Sequence, residues 1–105
     1  THELINQLCF IADSHTDQLC REAAVAALGS IGSPLGLETV LEALKDKPAI
    51  RRRAVIALAA FDDPKVDEAL KKSLNDRDWQ VRQIAEDLLD VSRVISPVDI
   101  GPRPN

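Results

Sequence analysis

The sequence predicts an all-α fold: an α-solenoid of antiparallel helical hairpins with about two and a half repeats and six helices. Similar segments recur about every 30 residues, and their apolar residues follow helical spacing. Only 3% of the 105 residues are aromatic and neither Tyr nor Met occurs, so Ala, Leu and Val must form the core. Such a composition favours closely packed helices over a sheet.

The repeat is clearest when "CREAAVAALGSIGSP" at 20–34 is placed over "IRRRAVIALAAFDDP" at 50–64 without a gap. Both segments begin with an apolar residue and an arginine, continue with Ala-x-x-Ala-Leu, and end with proline. A third copy begins with "VRQIAEDLL" at 81–89 and has the same apolar-Arg start. Three copies in register predict three similar hairpins stacked side by side.

Capping residues and apolar spacing define the individual helices. An apolar stripe at helical spacing follows each repeated arginine and predicts the first helix of the hairpin. Ser33-Pro34 and Asp63-Pro64 then combine a capping side chain with a proline at the first helical position, which predicts the start of each second helix. The six helices are predicted at 2–12, 17–31, 34–45, 48–60, 64–74 and 78–91.

The N-terminal segment is predicted to be a second helix without its first. It has apolar residues on one face and ends in Asp13, as the later second helices end in Asp46 and Asp76. Its unpaired face would be exposed, so we expect upstream repeats or a second copy of the chain, in a homodimer, to cover it. The residues concerned are Leu4, Leu8 and Phe10.

Residues 93–105 are predicted to form an extended C-terminal tail, and residues 1–92 the solenoid domain. Ser96-Pro97 and Gly101-Pro102 cannot continue a helix. Because the segment still contains several apolar residues, we consider it a candidate cap that covers the last helix in place of a missing second helix.

The recurrent unit resembles the HEAT repeat, in the short form found in phycobilisome-lyase-type proteins. The resemblance rests on apolar-Arg-x-x-Ala, then Gly-x-Ile-Gly-Ser-Pro, a second helix and a final Asp, and it covers about residues 4–90. It implies that the repeated arginines are structural and pair with aspartates at the corners between repeats. The implied pairs are Arg51 with Asp46 or Asp76, Arg82 with Asp76, and Arg21 with Asp17 or Asp46.

Three consecutive arginines, Arg51, Arg52 and Arg53, raise the alternative of a nucleic-acid-binding module. Successive helical residues lie about 100° apart, so the three side chains fan across about 200° and cannot form one patch alone. The net charge of -4 gives the whole chain no general attraction to phosphate. We therefore interpret Arg51 as structural, and Arg52 and Arg53 as surface residues whose side chains point in different directions. Nucleic acid is accordingly a disfavoured partner.

The resemblance favours a non-catalytic scaffold or adaptor that binds another protein through its helical surface. An accessory or lyase-like subunit of an enzyme system, of the bilin-lyase type, is the alternative. The residues themselves present no catalytic, cofactor-binding or metal-ligating constellation, since His2 and His15 lie apart and Cys9 and Cys20 are isolated. The candidate binding surface is the exposed face of the second helices. It comprises Glu38, Glu42, Lys45, Lys65, Glu68, Lys71 and Lys72.

The chain is expected to be a soluble cytoplasmic protein. No apolar run is long enough to span a membrane, and the N-terminal residues lack the charged-then-apolar plan of a signal peptide. Isolated cysteines without paired spacing are typical of reduced thiols rather than disulfides. We therefore expect no membrane partner, no metal and no cofactor.

Overall fold

The structure is a computed structural model that describes residues 1–94, with side chains up to Val91. No strand occurs in this part of the chain, which confirms the all-α prediction. A 3-10 turn at Pro34–Gly36 leads into the third helix, so the single helix predicted at 34–45 is divided. The six α helices are α1 (His2–Ser14), α2 (Gln18–Ile31), α3 (Leu37–Ala43), α4 (Pro48–Leu58), α5 (Pro64–Ser73) and α6 (Trp79–Val94).

The helices form two layers. In the first layer α2 packs against α4 and α4 against α6, so the first helices of the three hairpins lie side by side. The second layer contains α1, α3 and α5, which pack onto the first. Within that layer α1 contacts α3, whereas α3 and α5 make little direct contact. The second layer is therefore open between its last two helices.

Predicted caps start the second helices. The hydroxyl of Ser33 accepts a hydrogen bond from the N–H of Leu35 at 3.3 Å, and the carboxylate of Asp63 accepts one from the N–H of Lys65 at 2.9 Å. In the first hairpin Gly32 ends α2 in the left-handed conformation with φ of 68°, which an L side chain rarely adopts. Local residues thus determine where each hairpin turns.

The core lies between the two layers and is almost entirely aliphatic. The apolar residue before the repeated arginine is fully buried in both the second and the third copy, as Ile50 and Val81. Phe61 is the one buried aromatic residue among the described side chains. The largest fully buried side chains are Leu28, Ile50, Leu58, Val25, Val40, Val55 and Val81.

Helices α2 and α4 approach each other most closely where Gly29 faces Ala57. A Cβ atom placed on Gly29 would lie 2.7 Å from the Cβ of Ala57 and 2.9 Å from its Cα, closer than real Cβ contacts. The missing side chain therefore permits the tight packing of the first layer.

Helix α6 continues to Val94, two residues beyond the predicted end of the solenoid at 92. Residues 95–105, which make up most of the predicted tail, lie outside the described residues.

We predict that Gly29→Ala destabilises the protein. Alanine favours a helix over glycine by about 0.5 to 1 kcal/mol, but overpacking against Ala57 costs about 1 to 3 kcal/mol, so the net effect is a loss. Urea unfolding of the variant would measure it. Ser30→Ala is the matched control, because Ser30 is the next residue of the same helix and is exposed. A Gly29→Ala protein as stable as the control would contradict the close approach.

Candidate functional site

Repeated arginines connect the corners of the stack. A corner is the turn between the second helix of one hairpin and the first helix of the following hairpin. Arg51 binds Asp76 through Nε and Nη2, both at 3.0 Å, and its Nη1 donates to the carbonyl oxygen of Asp46 at 2.8 Å. Arg21 binds Asp46 in the same way at 3.0 and 3.1 Å, and its Nη1 donates to the carbonyl oxygen of His15 at 2.8 Å. Each arginine thus joins two consecutive corners. We call this series the corner ladder.

Arg82 differs from the prediction. Its Nη1 donates to the carbonyl oxygen of Asp76 at 2.8 Å and to that of Arg77 at 3.2 Å, so it contacts the backbone rather than the carboxylate of Asp76. The reason is that Arg51 already occupies that carboxylate. Among the described residues, Arg82 therefore makes the bond to the corner before its own helix but not the bond to the aspartate of a following corner.

The first corner is built on His15 rather than on Asp13. Nδ1 of His15 accepts a hydrogen bond from the N–H of Asp17 at 3.0 Å, as Oδ1 of Asp76 accepts one from the N–H of Asp78 at 2.9 Å. The interpretation of Asp13 as the corner residue was wrong because α1 continues past it to Ser14. Burial raises the pKa of Asp13, and the nearby charge of Glu42 raises it further.

Arg52, which we predicted to be a surface residue, is only partly exposed and forms an ion pair. Its Nε and Nη2 bind the two carboxylate oxygens of Asp78 at 3.0 and 3.1 Å. Oδ2 of Asp78 also accepts the N–H of Val81 at 3.1 Å, in the first turn of α6. Sequence reasoning missed Asp78, although the repeat register holds a signal for it: Asp78 and Asp17 each stand four residues before a repeated arginine.

Arg53 points towards α2, whereas Arg51 and Arg52 point towards the α6 side of the stack. Its Nε donates to Oε1 of Glu22 on α2 at 3.1 Å. The arginine triplet of α4 therefore binds Asp76 and Asp78 on the α6 side and Glu22 on the α2 side. Since a carboxylate engages each of these guanidinium groups, the triplet gives no support to a nucleic-acid interface.

Ion pairing shifts several carboxyl groups. The hydrogen bond from Arg21 lowers the pKa of Asp46. The hydrogen bond from Arg52 lowers the pKa of Asp78 from its ordinary value near 3.8 to about 2. Burial alone would raise the pKa of Asp76, but the hydrogen bonds from Arg51 and from the N–H of Asp78 outweigh it, and the pKa is lowered. These carboxylates are therefore ionised at neutral pH.

The candidate binding face lies on α3, α5 and the turn after α3. All of its predicted residues are exposed. Four of them, Lys45, Lys65, Glu68 and Lys72, line a groove of about 510 Å³ between α3 and α5. Lys71 does not line the groove. We call this feature the α3–α5 groove.

The floor of the α3–α5 groove is apolar. Half-buried Leu41, Leu44 and Ala69 supply this apolar surface, and buried Ser73 and half-buried Asp76 also line the groove. The two remaining predicted residues form exposed ion pairs with rim lysines. Glu38 accepts a hydrogen bond from Lys65 at 2.6 Å across the opening, and Glu42 lies 3.3 Å from Lys45.

The exposed apolar face of α1 lies on the same layer. Leu4 and Phe10 are 48% and 71% exposed, whereas Leu8 is half-buried against the core. What covers this face stays a prediction.

The described residues offer neither a metal site nor a membrane span. Within residues 1–94 no group of three or more His, Cys, Asp or Glu side chains is placed to hold a metal ion. No described helix combines the length and the apolar character needed to cross a membrane.

Comparison with protein families gives one match. The family model for HEAT repeats matches residues 5–90, which is nearly the span of the resemblance seen in the sequence. The match does not distinguish the short phycobilisome-lyase form, which stays a prediction. Comparison with curated proteins finds no match.

We predict that the arginines of the triplet contribute unequally to stability. Arg51→Ala removes the mostly buried partner of Asp76 and should cost about 2 to 4 kcal/mol of unfolding free energy. Arg53→Ala removes a more exposed pair and should cost less than about 1 kcal/mol. Chemical denaturation of both variants tests the order. Equal losses would show that the corner ladder has no special role.

We also predict that Asp78 contributes to acid unfolding. The pKa of Asp78 is about 2 in the folded state, below the ordinary value near 3.8. The carboxylate therefore contributes stability that is complete above about pH 4 and is lost as the pH falls towards 2. Asp78→Asn should weaken this dependence, and Arg52→Gln should do the same. Urea midpoints measured from pH 2 to pH 6 give the comparison, and an unchanged slope in both variants would contradict the pairing.

Proposed function

The chain belongs to the HEAT-repeat family, and from that premise we propose that it is a non-catalytic scaffold or adaptor module that binds another protein through its second helices. HEAT repeats generally act as scaffolds for protein–protein interaction. The observation that best supports the proposal is the α3–α5 groove, which lies on the face that the sequence analysis selected.

The chemistry of the groove suits a protein partner. A floor of half-buried Leu41, Leu44 and Ala69 surrounded by charged side chains has the arrangement of a protein interface, an apolar centre with a polar rim. Covering such a floor stabilises a complex by roughly 25 cal/mol for each Å² of apolar surface removed from water. The apolar floor would supply affinity, and the charged rim would select the partner.

The ion pairs of the rim are easily exchanged. Lys45 and Glu42 are both exposed, as are Lys72 and Glu68, whose closest charged atoms are 4.0 Å apart. Exposed pairs contribute only about 0 to 1 kcal/mol. A bound protein can therefore replace either member with a charge of its own at little cost.

The corner ladder holds the groove in shape. Asp76 lines the groove and also binds Arg51 of α4. The end of α5 is thereby fixed to the first layer before any partner arrives. A binding surface that is formed in advance loses less conformational entropy on association.

Capture of protein partners from a native extract tests the proposal with two matched variants. Ala69→Glu places a carboxylate on the groove floor, whereas Ala23→Glu places one on an exposed position of α2 in the first layer. We expect Ala69→Glu to reduce capture of the main bound protein at least about tenfold, because a larger, charged side chain on the apolar floor must be buried by the partner, and Ala23→Glu to retain it. Melting temperatures near that of the wild type would show that both variants are folded. Retained capture by Ala69→Glu would refute the proposal.

A further inference from the structure

The α3–α5 groove continues into a second depression at the corner between α5 and α6. This depression measures about 260 Å³. It shares Leu44, Lys45 and Asp76 with the groove, so the two form one continuous surface. We call it the corner pocket. Its lining is completed by Arg51, Asn75 and Arg77.

Positive charge at this corner is not fully balanced. Its two carboxylates, Asp76 and Asp78, are mostly buried, and Arg51 and Arg52 each bind one of them through two hydrogen bonds of 3.0 to 3.1 Å. The side chain of Arg77 is exposed and has no hydrogen-bond or ion-pair partner among the described residues. A cation is therefore available in the corner pocket of a chain whose net charge is -4.

Two further cations lie around the corner pocket. Lys45 lines both depressions, and its partner Glu42 forms only an exposed pair with it at 3.3 Å. Because such pairs are weak, an incoming carboxylate can take the place of Glu42. Arg82 donates from Nη1 to the carbonyl oxygens of Asp76 and Arg77, so its charge also lies beside this corner.

A ligand that matches this surface combines two chemical features. Aliphatic side chains fit the floor of Leu41, Leu44 and Ala69, and carboxylates fit the cations of the rim and the corner pocket. A single terminal carboxylate would meet only one of the separated cations, whereas acidic side chains along a segment can meet several. A phosphate backbone would leave the apolar floor uncovered.

We propose that the α3–α5 groove and the corner pocket together bind an acidic amphipathic peptide segment of the partner protein, with aliphatic side chains on the floor and a carboxylate at Arg77. This inference rests on the proposed function and adds the chemistry of the partner. The planar guanidinium of Arg77 presents a fork of donors that matches a carboxylate, and Lys45 supplies a second cation nearby.

Fluorescence anisotropy of the full chain with synthetic peptides tests this chemistry. Each probe carries a pair of leucines and a pair of glutamates, the spacing between the pairs is varied residue by residue, and a matched peptide has glutamines in place of the glutamates. All are amidated, so the glutamates are the only carboxylates. We expect the best glutamate peptide to bind at least about tenfold more tightly than its glutamine counterpart. No difference at any spacing would overturn the proposal, as would binding only with a free terminal carboxylate or tighter binding of a single-stranded oligonucleotide.

Two matched charge reversals test the position of the carboxylate. Lys47 follows Asp46 as Arg77 follows Asp76, is exposed, and lines neither depression. We expect Arg77→Glu to weaken binding of the glutamate peptide at least about tenfold, and Lys47→Glu to weaken it less than about twofold. Arg77→Gln, which adds no new carboxylate beside Asp76, should give an intermediate loss. Equal losses from the two reversals would overturn the proposal, since the overall charge of the chain would then explain the binding.

Capture of the protein partner distinguishes the acidic segment from the scaffold function. Ala69→Glu alters the groove floor, whereas Arg77→Glu alters only the corner pocket. Capture that is lost in Ala69→Glu and kept in Arg77→Glu would overturn the acidic segment and leave the scaffold function standing. Capture kept in both variants would overturn both. We expect both variants to lose capture while melting at temperatures near that of the wild type.

Discussion

The bidentate pair between a repeated arginine and the aspartate of the next corner is the interaction on which the remaining structure depends. An aliphatic core supplies most of the stabilisation, but hydrophobic contacts have no preferred direction. Arg51 supplies a directional contact, because its planar guanidinium binds the carboxylate of Asp76 in the following corner and the carbonyl oxygen of Asp46 in the preceding corner. Hydrophobic packing therefore holds the hairpins together, while the corner ladder fixes their register.

The arginine triplet extends the same principle to the flanks of the central helix. Arg52 and Arg53 bind carboxylates on α6 and α2 respectively, so α4 is tied electrostatically to both neighbours. The arginine triplet of this acidic chain therefore stabilises contacts between the chain's own helices. Exposed lysines of the second helices, such as Lys45 and Lys72 at the groove rim, make only exposed ion pairs and are accessible to an external partner.

The sequence predicted those features of the fold that depend on residues close together in the chain. Helical spacing and the cap-proline steps identified the helices, because both act within a few residues along the chain. The choice between Asp46 and Asp76 for Arg51 stayed open, since it depends on how the hairpins stack and Asp76 lies 25 residues from Arg51 in sequence. Asp78 was missed for the same reason, although its register with Asp17 marked the position. The choice of His15 over Asp13 depends on where α1 ends, which apolar spacing does not determine.

The candidate site was predictable as a face but not as a groove. Exposed charges on the second helices follow from helical periodicity alone, whereas the opening between α3 and α5 depends on how far apart those helices lie. Side chains at a contact set the distance between helix axes within about 8 to 10 Å. Gly29 and Ala57 allow the first helices to pack closely, whereas α3 and α5 make little direct contact and leave Leu41, Leu44 and Ala69 lining an open groove. A closely packed first layer therefore supports a second layer that is open between α3 and α5, and this is why the groove forms on the second helices.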